Sequence, residues 1–317
     1  LADGLAGLRV MDISNPAYPY EIGFCDTPGE ARDVALAGGY AYVADYERGL
    51  RVISLLNPAH PVEVGSFMVD GFILIIKLAG NTLYAGTFLG SPEAGLYALD
   101  IRDPTHPQMV GYYANIEECW GIDVDGTMVY VADVSGLKIF DFSNPPDLNL
   151  VGFYPYSGTG GITVRDGLAY VSEGSGVEIY NVADPASITL VGSFTCSTCF
   201  AGSPVSLAGN YAYVSENWGL RILNISNPTS PTEVSYTPTR QETTWLVLSG
   251  SLVFVAEGSY GFSVYDVSNP AAPQLINQTP VVGSVQALAL SEGWLFTASG
   301  EGGLQIYTET AVSGLIQ

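Results

Sequence analysis

The sequence predicts an all-β fold, a seven-bladed β-propeller with four antiparallel strands per blade, from three periodic signals. A Gly followed by an apolar residue opens an alternating strand eight times, at Gly7, Gly49, Gly95, Gly136, Gly176, Gly219, Gly261 and Gly303, about 42 residues apart. Eight residues after each of the first seven glycines stands Asn-Pro or Asp-Pro, at Asn15, Asn57, Asp103, Asn144, Asp184, Asn227 and Asn269. The third signal is a turn pair: Gly38-Gly39, Gly80-Asn81, Asp125-Gly126, Asp166-Gly167, Gly209-Asn210, Ser249-Gly250 and Glu292-Gly293.

One repeat shows how these residues make a blade. Ala31 to Leu36 is a short apolar strand, a. Gly38-Gly39 favours positive φ and a tight hairpin whose twist suits antiparallel strands. Tyr40 to Ala44 is strand b, rich in Tyr and Val. A short loop ending at Gly49 leads into strand c, Leu50 to Leu55. Asn57-Pro58 then forces a turn, because Asn suits its first corner and Pro fixes φ at the second. Strand d runs from Val62 to Phe67. A β-sandwich would not repeat its sequence, and a parallel β-helix would have shorter repeats with few two-residue hairpins. The propeller is expected to occupy residues 1–307 as a single domain, with 308–317 as a tail.

Composition narrows the function. Gly (37), Pro (19) and Tyr (20) are abundant, while charged residues make up 13% of the 317, which suits many short strands and turns. Hydrophobic residues at 47% are ample for a core. Acidic residues outnumber basic ones 32 to 10, a formal charge of −22. Such a chain is repelled by phosphate backbones and anionic bilayers, so neither nucleic acid nor membrane insertion is expected. No run of 18 apolar residues exists to span a bilayer. Nor does Leu1 open a charged start followed by an apolar stretch, so any signal peptide is expected to be absent or removed.

The segments Tyr-Ala-Tyr-Val-Ala-Asp (40–45), Gly-Leu-Arg-Val-Ile (49–53) and Asp-Val-Ser-Asn-Pro-Ala-Ala-Pro (266–273) resemble the LVIVD-repeat family of bacterial and archaeal β-propellers. The resemblance covers residues 1 to about 307 and implies a secreted or surface-exposed protein, with no assigned activity to carry over.

Counting strands exposes an excess. There are seven each of a, b and d, but eight of c, since Leu8–Ile13 and Leu304–Tyr307 both qualify. One reading is ring closure: a, b and c of the last blade come from residues 285–307, and d from Glu21–Thr27. Residues 1–13 would then lie on an edge or outside the ring. The other reading is donation of the spare strand to a neighbouring copy, with Leu8, Val10, Ile13, Leu304 and Ile306 as the exchanging residues. Head-to-tail donation does not close on itself and would build filaments. A third possibility is a fragment of a larger surface protein, since Leu1 begins inside a repeat and Ala311–Gln317 reads like a linker.

Candidate sites follow from what does not repeat. Strand b often ends in a carboxylate, Asp45, Asp133, Glu173, Glu216 or Glu257. These would ring one face, or each would accept hydrogen bonds from its own tight loop. Non-repeated residues expected on that face are Arg32, Asp33, Tyr46, Glu118, Trp120, Trp218 and Trp245, with Glu117 near the channel mouth and an enlarged loop at Thr87–Glu93. Aromatic rings beside carboxylates suit a sugar or peptide. Both histidines, His60 and His106, occupy c–d turns, leaving no triad and no multi-His metal site, and no metal or cofactor is expected. The runner-up is a carbohydrate-active enzyme using loop-face carboxylates such as Asp33 or Glu118. Cys196 and Cys199 could close a local disulfide, stay as free thiols or hold a metal. Asn277 and Asn224 match the glycosylation pattern, although Asn224 takes a slot that Asp100, Asp141 and Asp266 fill in other c strands. The expected function is an extracellular or cell-surface binding and assembly module without enzymatic activity, with protein partners, copies of itself, or carbohydrate.

Overall fold

The structure, a computed structural model, describes residues 8–12, 20–25, 27–57, 60–69, 71–88, 94–156, 158, 160–174, 176–195, 205–216, 218–280, 284–291, 294–298 and 304–308. Six four-stranded antiparallel blades follow one another along the chain. After β1 (Leu8–Asp12) and β2 (Tyr20–Cys25), blade 1 is β3 (Asp33–Ala37), β4 (Tyr40–Ala44), β5 (Leu50–Ser54) and β6 (Val62–Phe67). Blade 2 is β7 (Phe72–Ala79), β8 (Thr82–Phe88), β9 (Gly95–Asp100) and β10 (Gln108–Ala114). Blade 3 is β11 (Cys119–Asp125), β12 (Met128–Asp133), β13 (Gly136–Asp141) and β14 (Asn149–Pro155). Blade 4 is β15 (Ile162–Arg165), β16 (Leu168–Glu173), β17 (Gly176–Asn181) and β18 (Thr189–Thr195). Blade 5 is β19 (Ser206–Ala208), β20 (Tyr211–Glu216), β21 (Gly219–Asn224) and β22 (Thr232–Pro238). Blade 6 is β23 (Trp245–Ser249), β24 (Leu252–Ala256), β25 (Phe262–Asp266) and β26 (Gln274–Thr279). The last three strands are β27 (Ala287–Ser291), β28 (Trp294–Ala298) and β29 (Leu304–Thr308).

The turn chemistry works as the residue types dictate, with one shift of register. Gly38 and Gly39 have φ of 58° and 80°, so both central residues of that hairpin are left-handed. Asp166 and Gly167 repeat this at 54° and 73°. Elsewhere the pairing places Gly126-Thr127 and Gly250-Ser251 at the centre, one residue later than the sequence pairs suggest. There the glycine takes the first, positive-φ corner. In each Asn-Pro or Asp-Pro turn described, the fourth residue's N–H donates to the carbonyl of the Asn or Asp, as in His60 to Asn57 (2.9 Å) and Ser230 to Asn227 (3.1 Å). The glycine that opens strand c also has its reason. Gly49 sits at φ 75°, and a Cβ there would collide with the Phe67 carbonyl of strand d.

Strand a of each blade lies innermost. β27, β3, β7, β11 and β15 contact one another in succession, as do β19, β23 and β27, so the ring closes between β27 and β3. A separate apolar cluster fills each interface. Between blades 1 and 2, for example, Tyr42, Leu50 and Val52 pack on Ile73, Leu83, Tyr97 and Leu99. Fully burying each such aliphatic side chain contributes about 1.5–3 kcal/mol, and every blade does so on two faces.

The closing sheet corrects two expectations. Its order is β2-β1-β29-β28-β27, five strands rather than four. Four-stranded blades therefore number six, not seven, among the described residues. The surplus strand β1 is also not at an edge: it lies between β29 and β2. The physical reason is that β1 and β29 are both c strands with one direction, and each keeps its own antiparallel partner. β1 pairs with β2 from Leu8↔Cys25 to Asp12↔Tyr20, and β29 with β28 from Leu304↔Ala298 to Thr308↔Trp294. The two c strands meet in parallel through one register pair, Leu8↔Leu304. Val10 faces Gly23 and Ile306 faces Phe296 in register, while Ile13 lies outside the described residues. So does the tail beyond Thr308.

Candidate functional site: the central channel and the b–c acid positions

The inner strands enclose a cavity of about 280 Å³ on the propeller axis. Apolar side chains, among them Ile75, Ile76, Ile122, Ile162 and Leu288, share its wall with polar groups in about equal measure. Trp245, expected on the loop face, instead lines this cavity. From blade 6 it packs against the cluster between the closing sheet and blade 1, the cluster between blade 6 and the closing sheet, and the cluster shared by blades 2 and 3. It therefore ties three blade interfaces together from the channel wall. A residue at the start of strand a points inward because the pleat alternates across a strand facing the axis.

One sector of the wall is charged. Asp33 of β3 is 5% exposed; its Oδ1 accepts the N–H of Val34 (2.8 Å) and its Oδ2 that of Ile76 in blade 2 (2.9 Å). Lys77 Nζ stands 2.7 Å from Asp123 Oδ1 of blade 3, and Asp123 Oδ2 accepts the N–H of Val164 in blade 4 (2.7 Å). Neither Lys77 nor Asp123 was marked by the sequence, although with Thr163 and Ser206 they fill one register position of strand a, each opposite a tyrosine of strand b. The strip bolts blades 1 to 4 together around the axis.

Burial pushes the Asp33 carboxyl up to about 7, against the pull of the Ile76 and Val34 N–H groups and of Lys77. Its folded pKa lies above the unfolded value, so its stabilisation is complete below about pH 4 and is lost as pH rises through 7. Full expression of the shift is worth on the order of 4 kcal/mol. Burial raises Asp45, to about 6, in the same direction. Urea midpoints are expected to fall from pH 4.5 to pH 8, and to fall less in Asp33→Asn. That variant also loses one of two backbone bonds, so it starts lower at pH 4.5. An unchanged slope in Asp33→Asn would refute the assignment.

At the mouth, Arg32 and Tyr46 do come together. The guanidinium lies 4.7 Å over the Tyr46 ring and donates to Glu30 (3.0 Å), while Tyr46 stacks on Phe72 of blade 2 at 4.5 Å. Glu118 and Trp120 also meet, through Trp120 Nε1 donating to Glu118 Oε2 (3.4 Å). Trp218 is 54% exposed on its b–c loop, beside Tyr236, whose hydroxyl donates to the Trp218 carbonyl (3.0 Å). The expected single aromatic-acid face is thus divided among the channel, the mouth and one loop. Asp33 and Glu118 are not brought together.

Of the two readings of the acids that end strand b, the structure agrees with the second, in which each is held by its own surroundings and does not ring an open face. Asp45, Asp133, Glu173, Glu216 and Glu257 are all buried, between 0 and 8% exposed. Asp133 accepts from Ser135 N (2.9 Å) and Gly136 N (3.1 Å) of its own loop and pairs with Lys138. Glu216 pairs with Arg221, which also reaches Glu233. Asp45 faces Arg51 at 3.5 Å, and Arg51 reaches Glu63 at 3.2 Å. In blade 2 Thr87 takes the acid's place and exchanges bonds with Gly95. A buried carboxylate is tolerated only with such partners.

Asn224 Oδ1 accepts Ser226 N (2.9 Å), as Asp141 does from Ser143 and Asp266 from Ser268 (both 2.8 Å), which fits its structural reading. Asn277 Nδ2 donates to Thr279 on a half-buried stretch of β26. Cys196 and Cys199 lie outside the described residues, as do residues 89–93 of the enlarged loop. Cys119 is a buried thiol, its pKa pushed far up by burial. Among the described residues no three metal-ligating acid, His or Cys side chains cluster, and no helix is long and apolar enough to cross a membrane.

An axial channel walled by the first strands of successive antiparallel sheets defines a β-propeller. The LVIVD repeat matches residues 1–27, 28–69, 76–115, 118–155, 202–239 and 242–279, and the chain belongs to that family. Among solved structures it is similar to the computationally designed Ika8 protein (10% identity, TM-score 0.68, 97% of this chain and 98% of that one). BamB from Moraxella catarrhalis matches at 12% identity and TM-score 0.63, over 90% and 85% of the two chains. A functionally unknown protein from Desulfotomaculum acetoxidans matches at 14% and 0.72, over 86% and 92%. At these identities the likeness is one of fold. No curated protein matches the chain.

Proposed function

We propose that this propeller is a non-enzymatic binding and assembly module of the cell surface or extracellular space, joining copies of itself through the closing sheet. The observation that carries the reading is the pair of c strands in one sheet, held to each other by the single register pair Leu8↔Leu304. Neighbouring strands inside the blades share from three to seven such pairs. Either c strand could complete a four-stranded sheet, so the other, once released from its weak parallel contact, could add to a neighbour's sheet. The formal charge of −22 supports an exposed, solvated setting and argues against phosphate-rich partners.

Light scattering and electron microscopy of the full chain are expected to show concentration-dependent oligomers or filaments. Deleting residues 304–317 leaves β1 to take the c position, and this variant is expected to remain monomeric. A full chain that stays monomeric at high concentration would overturn the reading.

A further inference from the structure

Blades 2 to 5 place polar side chains at one register position of strand a: Lys77, Asp123, Thr163 and Ser206. Blade 1, blade 6 and the closing sheet place Ala35, Val247 and Ala289 there instead. Strand a is the innermost strand, so this position makes a belt around the axis, polar over one arc and apolar over the other. Lys77, Thr163 and Ala35 of that belt line the 280 Å³ cavity, together with Asp33 and the Trp245 indole.

The polar arc keeps unused bonding capacity. Lys77 Nζ gives one of its three donors to Asp123 (2.7 Å), and its side chain is 43% exposed, so the ammonium meets water inside the channel. Thr163 Oγ1 donates to the Val205 carbonyl, which leaves its lone pairs to accept. The indole adds an apolar plate with an N–H at its edge.

Charge balance decides what such a wall would take. Lys77 and Asp123 neutralise each other across their contact. Both oxygens of Asp33 are turned to backbone N–H groups, of Val34 and Ile76, so Asp33 offers a cation little. An anion would approach Asp33 within a chain of formal charge −22. A neutral molecule with hydroxyl groups along one edge and C–H groups on its faces meets neither obstacle, and it matches a wall that is half polar and half apolar. The volume lies just under the range of about 300–1,000 Å³ that holds drug-sized ligands, which suits a single sugar ring.

We propose that the channel binds a neutral hexose, its apolar face against Trp245 and its hydroxyls on Lys77 and Thr163. The site is independent of assembly through the closing sheet. For a neutral ligand of this size the dissociation constant belongs at about 1–10 mM.

Glucose, galactose and mannose, each titrated to about 50 mM into the full chain at pH 7, test this by saturation-transfer NMR and calorimetry. At least one is expected to bind saturably in the millimolar range. Ala35→Leu extends a side chain from the wall into the cavity. It is expected to keep the wild-type unfolding midpoint and to weaken that sugar about tenfold or more. Absence of binding by all three sugars would overturn the site, as would wild-type affinity in Ala35→Leu. Methylammonium and acetate serve as charged probes, and saturable binding of either in place of the sugars would overturn the assignment to a neutral ligand. Should Ala35→Leu not fold, Thr163→Val takes its place, because it keeps the side-chain shape and removes the hydroxyl. About tenfold weaker binding is expected there, and an unchanged affinity overturns the proposal.

Discussion

Arg221→Ala is expected to lower the free energy of unfolding by about 3–5 kcal/mol, because it leaves a buried carboxylate without its counter-charge. Arg221 is 6% exposed and Glu216 only 2%. The guanidinium bonds both oxygens of Glu216 and one of Glu233, and its plane covers Tyr236 at 4.7 Å and Phe194 of blade 4 at 5.6 Å. Removing it deletes the ion pair, the cation–π contacts and the packing between blades 4 and 5 together. Arg51→Ala in blade 1 is expected to cost less, since Arg51 approaches Asp45 only to 3.5 Å. Guanidinium denaturation with a full baseline checks both. A loss below 1 kcal/mol at Arg221 would show the pair to be dispensable.

Trp245→Ala is expected to cost about 3 kcal/mol, the low end for truncating a large aromatic core residue, because one side of the ring faces the open channel. The indole touches three interface clusters that no other described residue joins. Its loss therefore weakens several blade contacts at once and enlarges the 280 Å³ cavity. Denaturation midpoints measure the first effect; xenon or small-solute uptake into the channel measures the second. Wild-type stability in Trp245→Ala would mean that the three interfaces hold without the indole.

Much of this was legible in the chain. Strand period, turn pairs and Asn-Pro corners recur because each blade meets the same neighbours, so the fold could be read before any coordinate. The excess c strand was countable too, but not its slot. Whether Leu8–Asp12 sits at an edge or inside depends on competition between two equal strands, which no local propensity decides. Site residues were harder. Asp33 and Trp245 were marked as unusual, yet strand direction relative to the axis, not residue type, turned them into the channel. Lys77 and Asp123 went unmarked because their position, polar in blades 2 to 5, is Ala35 in the blade from which the repeat was read.

Five hydrogen bonds between blades run one way, although Thr243 reaches back from blade 6 to the Glu216 carbonyl of blade 5. Asp33 reaches Ile76, Asp123 reaches Val164, Thr163 reaches Val205, Thr244 reaches Val285, and at the rim Ser235 reaches Pro270. In each of these five a side chain of the earlier blade grips the backbone of the later one. Because the receiving partner is main chain, it does not depend on which amino acid arrives there. A tandem duplication of one unit would bring a new blade with its grip ready on one face and an acceptable backbone on the other. Ring size in such a molecule is limited by how wide a wedge each blade makes, and the joints themselves impose no count.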